Sequence, residues 1–302
     1  MIRTVGVTEV LSALPGAVVV LFALITQLGD FWFTFLACGL LYWLGPWTPR
    51  LGRNLTRDRT AMVVALLAVG VALIVSLKGL LGLPRPPGAG TATHADLLPV
   101  ALRGIYESMA TGEGYGFPSG HATLSLLVWG GFAWALRVGT RRGRVAVAGT
   151  VIGLIGLSRL VIGVHYLVDI LAGFAVAGAC LALALGVLET PERVFGLAAA
   201  VAVAGLVVAG VSRNTAGTLG IAVGGAVVWA LLGDRIPEPT RRGVVGTAVL
   251  GVLTVGTFLG VTFGLHPTPA VVVLLAALGT GLLLALPLAG EYLAKNTETK
   301  AA

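Results

Sequence analysis

Charge is what this chain lacks most. Asp, Glu, Lys and Arg make up 11% of its 302 residues, against about a quarter in an average soluble domain, which excludes a surface that faces water on every side. Cysteine is nearly absent too. The two cysteines, Cys38 and Cys180, both fall in apolar segments, so neither a disulfide framework nor a cysteine metal site is expected. What fills the chain instead is apolar: 57% hydrophobic residues, 44 glycines and a mean hydropathy of +0.96. Runs long enough to cross a bilayer, about 20 residues each, lie near residues 11–28, 31–46, 61–83, 119–138, 145–163, 165–188, 194–211, 216–233, 244–264 and 269–289. Several are short or abut their neighbours, so nine or ten spans are expected. The first run is followed by many more, which makes it a signal anchor rather than a cleaved leader. The expected fold class is all-α, a polytopic transmembrane helical bundle.

The net charge of +7 follows topology rather than nucleic acid. With a cytoplasmic N-terminus, the cytoplasmic segments hold 15 of the 20 basic residues, and the other side keeps Lys78, Arg85, Arg103, Arg159 and Arg213. That bias is the positive-inside rule. Lys78, Arg85 and Arg159 therefore lie where basic groups are scarce, and topology does not account for them. The longest connection, roughly residues 84–118, is on the same outer side, rich in Pro, Gly and polar residues, with a short helix expected around Leu97–Met109. Every ionisable group that the first six spans place at the outer face is expected between Lys78 and Asp169.

Three polar clusters punctuate this face: KGLLGLPRP from Lys78 to Pro86, FPSGHAT from Phe117 to Thr123, and SRLVIGVHYLVD from Ser158 to Asp169. A bundle that brings their spans together converges them on one pocket. Lys78, Arg85 and Arg159, with the Ser119 hydroxyl and the Gly120 amide at a helix start, suit a tetrahedral oxyanion, since guanidinium forks and helix N-termini both match phosphate oxygens. Gly120, lacking a Cβ, allows a close backbone approach. His165 and Asp169 are four apart and share one face if helical. A buried carboxylate there fixes the imidazole tautomer and leaves the other nitrogen nucleophilic. His121, protonated, can donate to a leaving oxygen. Arg159 and His165 are six apart and do not align on one helix, so a break is expected at Gly163.

Each fragment alone has a plain structural explanation: a snorkelling arginine, a buried His–Asp pair, a helix start. Their convergence does not, because charge at mid-membrane depth costs about 2.5–3.5 kcal/mol per group on insertion scales. His94, Asp96, Arg103, Glu107 and Glu113 read as a solvated loop face, and His266 as a loop residue. The spans after residue 190 repeat nothing earlier and read as a structural or oligomerisation bundle packed through small residues.

The three clusters fit K-x6-R-P, P-S-G-H and S-R-x5-H-x3-D. In order and spacing they resemble the signature of the type 2 phosphatidic acid phosphatase (PAP2) superfamily. The resemblance implies that His165 is a nucleophile forming a phosphohistidine and that Asp169 orients it. His121 would protonate the leaving group and then activate water, while Lys78, Arg85, Ser119, Gly120 and Arg159 hold the phosphoryl oxygens. It also implies chemistry without a metal or other cofactor, at an outward-facing site. Vanadate-dependent haloperoxidases share the signature, but this chain's spans argue against that branch. The expected organisation is a six-span PAP2-like phosphatase core over residues 1–190, with about four further spans over 191–302. The expected function is an integral plasma-membrane hydrolase of a lipid phosphate or polyprenyl diphosphate, its N-terminus cytoplasmic and its site extracytoplasmic. Its partners would be the lipid substrate, membrane lipids and a homo-oligomer, with no nucleic acid. A phosphotransferase with the same site and a lipid-phosphate transporter remain open.

Overall fold

The computed structural model describes residues 5–48, 55–237, 240–265 and 267–299; His266 lies outside them. Among these residues the regular structure is entirely helical, with no strand. The helices are α1 (Val7–Ser12), α2 (Gly16–Ile25), α3 (Phe31–Leu44), α4 (Arg57–Leu81), α5 (Val100–Ala110), α6 (Gly120–Ala135), α7 (Arg141–Val161), α8 (Leu167–Leu183), α9 (Pro191–Ala209), α10 (Arg213–Leu232), α11 (Arg241–Gly264) and α12 (Pro269–Thr299). Six of the described helices are long and apolar enough to cross a membrane. The polytopic all-α bundle is thus what the apolar runs form.

The start of the chain corrects one expectation. The first two apolar runs are not a pair of antiparallel spans. α2 continues through a 3-10 turn, Thr26–Gly29, into α3 with a bend of 46°. Ten residues of α-helix rise only about 15 Å, too little to cross alone. Asp30 makes the break by capping α3, its carboxylate accepting from the Trp32 amide at 3.4 Å. Before α2, Thr8 in α1 donates to the His165 carbonyl at 3.0 Å. From Val5 onward, then, the chain starts at the face that carries His165, not at the opposite one.

α4 is the central helix. Of its most apolar window 72% is buried, against 28–44% for the other five spanning helices. α3, α6, α9 and α10 surround it. One hydrophobic core runs from Tyr42 and Trp43 through Leu66 and Leu127 to Phe195, Trp229 and Leu284, so packing is continuous across residue 190. Small residues bring the later helices close: a Cβ on Gly224 would collide with the Ala277 carbonyl oxygen, so α10 and α12 meet backbone to backbone. Pro287 inside α12 has no N–H to offer the Leu283 carbonyl. Trp43 Nε1 fills that place at 2.8 Å, and Tyr42 donates to the Leu284 carbonyl at 2.9 Å.

Away from the site, arginines close helix ends. Arg59 donates to the carbonyls of Trp134 and Ala135 and Arg144 to that of Ala133, all in the last turn of α6. Arg57 does the same for Tyr42 in α3. Cations at helix C-termini satisfy free carbonyls and oppose the helix dipole. The basic bias of this face is therefore structural as well as topological.

Candidate active site

The site gathers at the end of α4, the start of α6, the end of α7 and the start of α8. Its shape comes from how those helices stop and start. α7 ends in a Schellman turn: Val164 N–H reaches the Arg159 carbonyl at 3.1 Å and Gly163 N–H the Leu160 carbonyl at 3.0 Å. Gly163 carries the left-handed conformation this needs, φ +74°. The chain break expected there is present, and it frees His165 from the helix.

His165 consequently sits before α8, two residues ahead of Leu167, rather than on a shared helical face with Asp169. The expected pairing forms through a different geometry. Asp169, in the first turn of α8, turns its Oδ2 back to accept from Tyr166 N–H at 3.0 Å and from His165 Nδ1 at 3.3 Å. His165 is 1% exposed and Asp169 is fully buried. Arg85 Nη1 stands 3.0 Å from His165 Nε2 and also donates to the Val164 carbonyl at 3.1 Å. A guanidinium only donates, so Nε2 must accept. That assigns the neutral tautomer, with the proton on Nδ1 and the lone pair on Nε2.

Arg85 is anchored at its other edge, where Nε donates to the Glu113 carbonyl at 3.0 Å. Burial works against its charge, and the Asp169 carboxylate works for it. Arg159 is 3% exposed. Its Nη1 donates to Thr26 Oγ1 at 2.9 Å, while its Nε is buried without a partner. Lys78, in the last turn of α4, lies within electrostatic reach of Arg85, Arg159 and Asp169. Among the described residues, the ion pairs of the site join only histidines to aspartates, His165–Asp169 and His121–Asp30. Three cations thus face one another with no carboxylate at salt-bridge distance, an arrangement that favours an anion between them.

Ser119 is fully buried and caps α6, its Oγ accepting from Ala122 N–H at 3.4 Å while its own N–H reaches the Asp169 carbonyl at 3.0 Å. That last bond ties the start of α6 to the start of α8. Gly120 opens α6 against α4. A Cβ there would meet Ile74 of α4 at 3.2 Å, so the missing side chain serves helix packing, and the amide remains at the helix start. His121 follows, with its Nε2 3.5 Å from Asp30 Oδ2.

The eight residues expected at the site, Lys78, Arg85, Ser119, Gly120, His121, Arg159, His165 and Asp169, are thus all carried by helix ends at one face of the bundle. Three further residues join them that the motifs did not name: Thr8, Thr26 and Asp30. Asp30 also corrects the expected span of ionisable groups at the face that carries the site, which starts before Lys78. Its one sequence signal was a lone carboxylate between two apolar runs. The long loop between α4 and α6 lies at this end, where Arg85 Nε donates to the Glu113 carbonyl. α5 forms three residues later than the start expected for it, and Tyr106 pins it by donating to the Thr93 carbonyl at 2.7 Å.

The geometry places two His–Asp pairs, His165–Asp169 and His121–Asp30, among three cations at one end of the bundle. Over residues 59–193 the chain matches the family model of the PAP2 superfamily. This stretch contains all three motifs, from Lys78 to Asp169. No curated protein and no solved structure matches the chain.

Proposed function

We propose that the protein is a membrane lipid phosphatase that removes phosphate from a lipid phosphate or polyprenyl diphosphate at the extracytoplasmic face of the plasma membrane. The observation that carries this reading is the neutral, buried His165, whose Nε2 lone pair is held among Lys78, Arg85 and Arg159. Substrate phosphate would draw the Arg85 Nη1 donor onto one of its oxygens, which releases Nε2. Nε2 then bonds to phosphorus as the phosphorus–oxygen bond to the lipid breaks. The leaving lipid oxygen takes a proton from His121. Water next attacks the phosphohistidine, giving its proton to the now neutral His121, and phosphate departs with His165 restored. Arg159, Ser119 and the Gly120 amide would stabilise the charge spread over the phosphoryl oxygens, the effect that dominates such transfers. Residues 1–190 would supply the catalytic part, and residues 191–302 the scaffold that holds α3 and α4.

The test is phosphate release by purified protein in detergent from phosphatidic acid, phosphatidylglycerol phosphate and a polyprenyl diphosphate. His165→Ala serves as the blank. Turnover of at least one lipid, lost in the variant, is expected. Full activity in His165→Ala would sink the assignment. Repeating the assay with an added alcohol acceptor separates hydrolysis from transfer. Since His165 must be neutral and His121 charged, the rate should rise and then fall with pH.

A further inference from the structure

Asp30 lies outside all three motifs, in the first apolar third of the chain, yet its carboxylate ends at the second histidine of the site. Two features carry it there. The chain bends by 46° between α2 and α3 at this residue, and Gly29 lets the bend sit against the site. A Cβ on Gly29 would fall 2.6 Å from Ile155 Cγ2 and 3.6 Å from the His121 ring. Trp129 Nε1, two turns along α6 from His121, donates to the Leu28 carbonyl at 3.0 Å and fixes the same turn to α6.

The two oxygens of Asp30 divide their roles. Oδ1 accepts from Trp32 N–H as the cap of α3, and Oδ2 lies 3.5 Å from His121 Nε2. That nitrogen has no hydrogen-bond partner and is buried, although a fifth of the His121 side chain is exposed. The charged groups that face His121 come from four sides: Lys78 from α4, Arg159 from α7, His165 ahead of α8 and Asp30 ahead of α3. Of these, only the Asp30 carboxylate favours a proton on the ring; the cations oppose it. An incoming phosphate would neutralise those cations and leave Asp30 to govern the His121 proton.

Resting on the phosphatase reading above, we propose that Asp30 is the positioning residue of the general acid, holding His121 by Nε2 so that Nδ1 presents the proton to the leaving lipid oxygen. The site then contains two His–Asp pairs of opposite task. Asp169 keeps His165 in the nucleophilic tautomer, and Asp30, once phosphate offsets the neighbouring cations, would aim His121 and favour its charged form.

The test is Asp30→Asn, because asparagine is as good a helix cap as aspartate and leaves α3 intact while removing the charge. Two probes are used, dioctanoyl phosphatidic acid, whose alkoxide leaving group needs a proton, and p-nitrophenyl phosphate, whose leaving group does not. General acid catalysis contributes about 10²- to 10⁴-fold, so a loss of about 10- to 100-fold is expected on the lipid and under about 3-fold on the aryl ester. The basic limb of the pH profile should also move to lower pH. Equal losses on both probes would mean a merely structural role and overturn the proposal, as would wild-type behaviour on both. Full activity of His165→Ala would instead sink the phosphatase reading. Histidine-selective nitrogen NMR needs no turnover and follows the His121 ring directly, with inorganic phosphate present. A His121 titration that moves to lower pH in Asp30→Asn supports the pairing; an unchanged one refutes it, whichever lipid the enzyme accepts.

Discussion

Replacing Asp169 by asparagine separates what its carboxylate does for folding from what it does for reaction. An asparagine oxygen in the position of Oδ2 can still accept from Tyr166 N–H and His165 Nδ1, which now lie at 3.0 and 3.3 Å. The neutral His165 of the resting site therefore keeps its partner and its tautomer. In the proposed mechanism the charge matters only once Nε2 attacks phosphorus and the ring becomes cationic. Two unit charges 3.3 Å apart interact by about 5 kcal/mol at an effective dielectric of about 20. Both groups are buried, with side-chain exposures of 1% and 0%, so solvent screens little of it. At about 1.4 kcal/mol per tenfold, that is three to four powers of ten in rate. The loss should fall on kcat with KM nearly unchanged, because the interaction is made in the transition state and not in the ground state. Steady-state phosphate release, with a thermal melt of the same preparation, measures both halves. A kcat within tenfold of wild type, in a variant whose melt is normal, would refute the assignment of Asp169 as partner to a cationic intermediate.

Arg159→Lys should lower kcat/KM by more than about 100-fold, since a lysine can neither keep the Thr26 bond and the free Nε together nor present a fork to two oxygens; a tenfold effect or less would remove Arg159 from the phosphate site. Gly163→Ala places a Cβ in a left-handed turn at a cost of about 1–2 kcal/mol, so both the melting temperature and activity should fall, whereas a variant with normal activity would show that the turn does not position His165. Trp43→Phe leaves the Leu283 carbonyl without a donor, costing about 1–3 kcal/mol; the melt should drop while kcat per folded molecule stays level, and a selective loss of kcat would contradict the scaffold role of that contact.

Some of this protein is legible residue by residue, and the physical reason is locality. Apolar runs must become helices in a bilayer because each helix satisfies its own backbone groups, so the all-α bundle follows from the sequence alone. The three clusters mark helix ends at one face by their spacing, and Gly163 marks its own turn because so few residues adopt a positive φ. The His165–Asp169 pair was legible as well, although its basis is an N-terminal turn reaching back to a residue ahead of the helix.

The remainder depends on contacts between distant parts of the chain. Thr26 meets Arg159 across 133 residues and Trp43 meets Leu283 across 240, and no local pattern encodes either. Whether the first two apolar runs cross separately or follow one bent path is likewise decided by packing against α5, α6 and α7. That same packing brings Asp30 to His121. From its sequence the chain had its helices, its cations and its His165–Asp169 pair; the tertiary structure alone chose the second carboxylate, because only close packing decides which lone charge between two apolar runs ends beside a buried histidine.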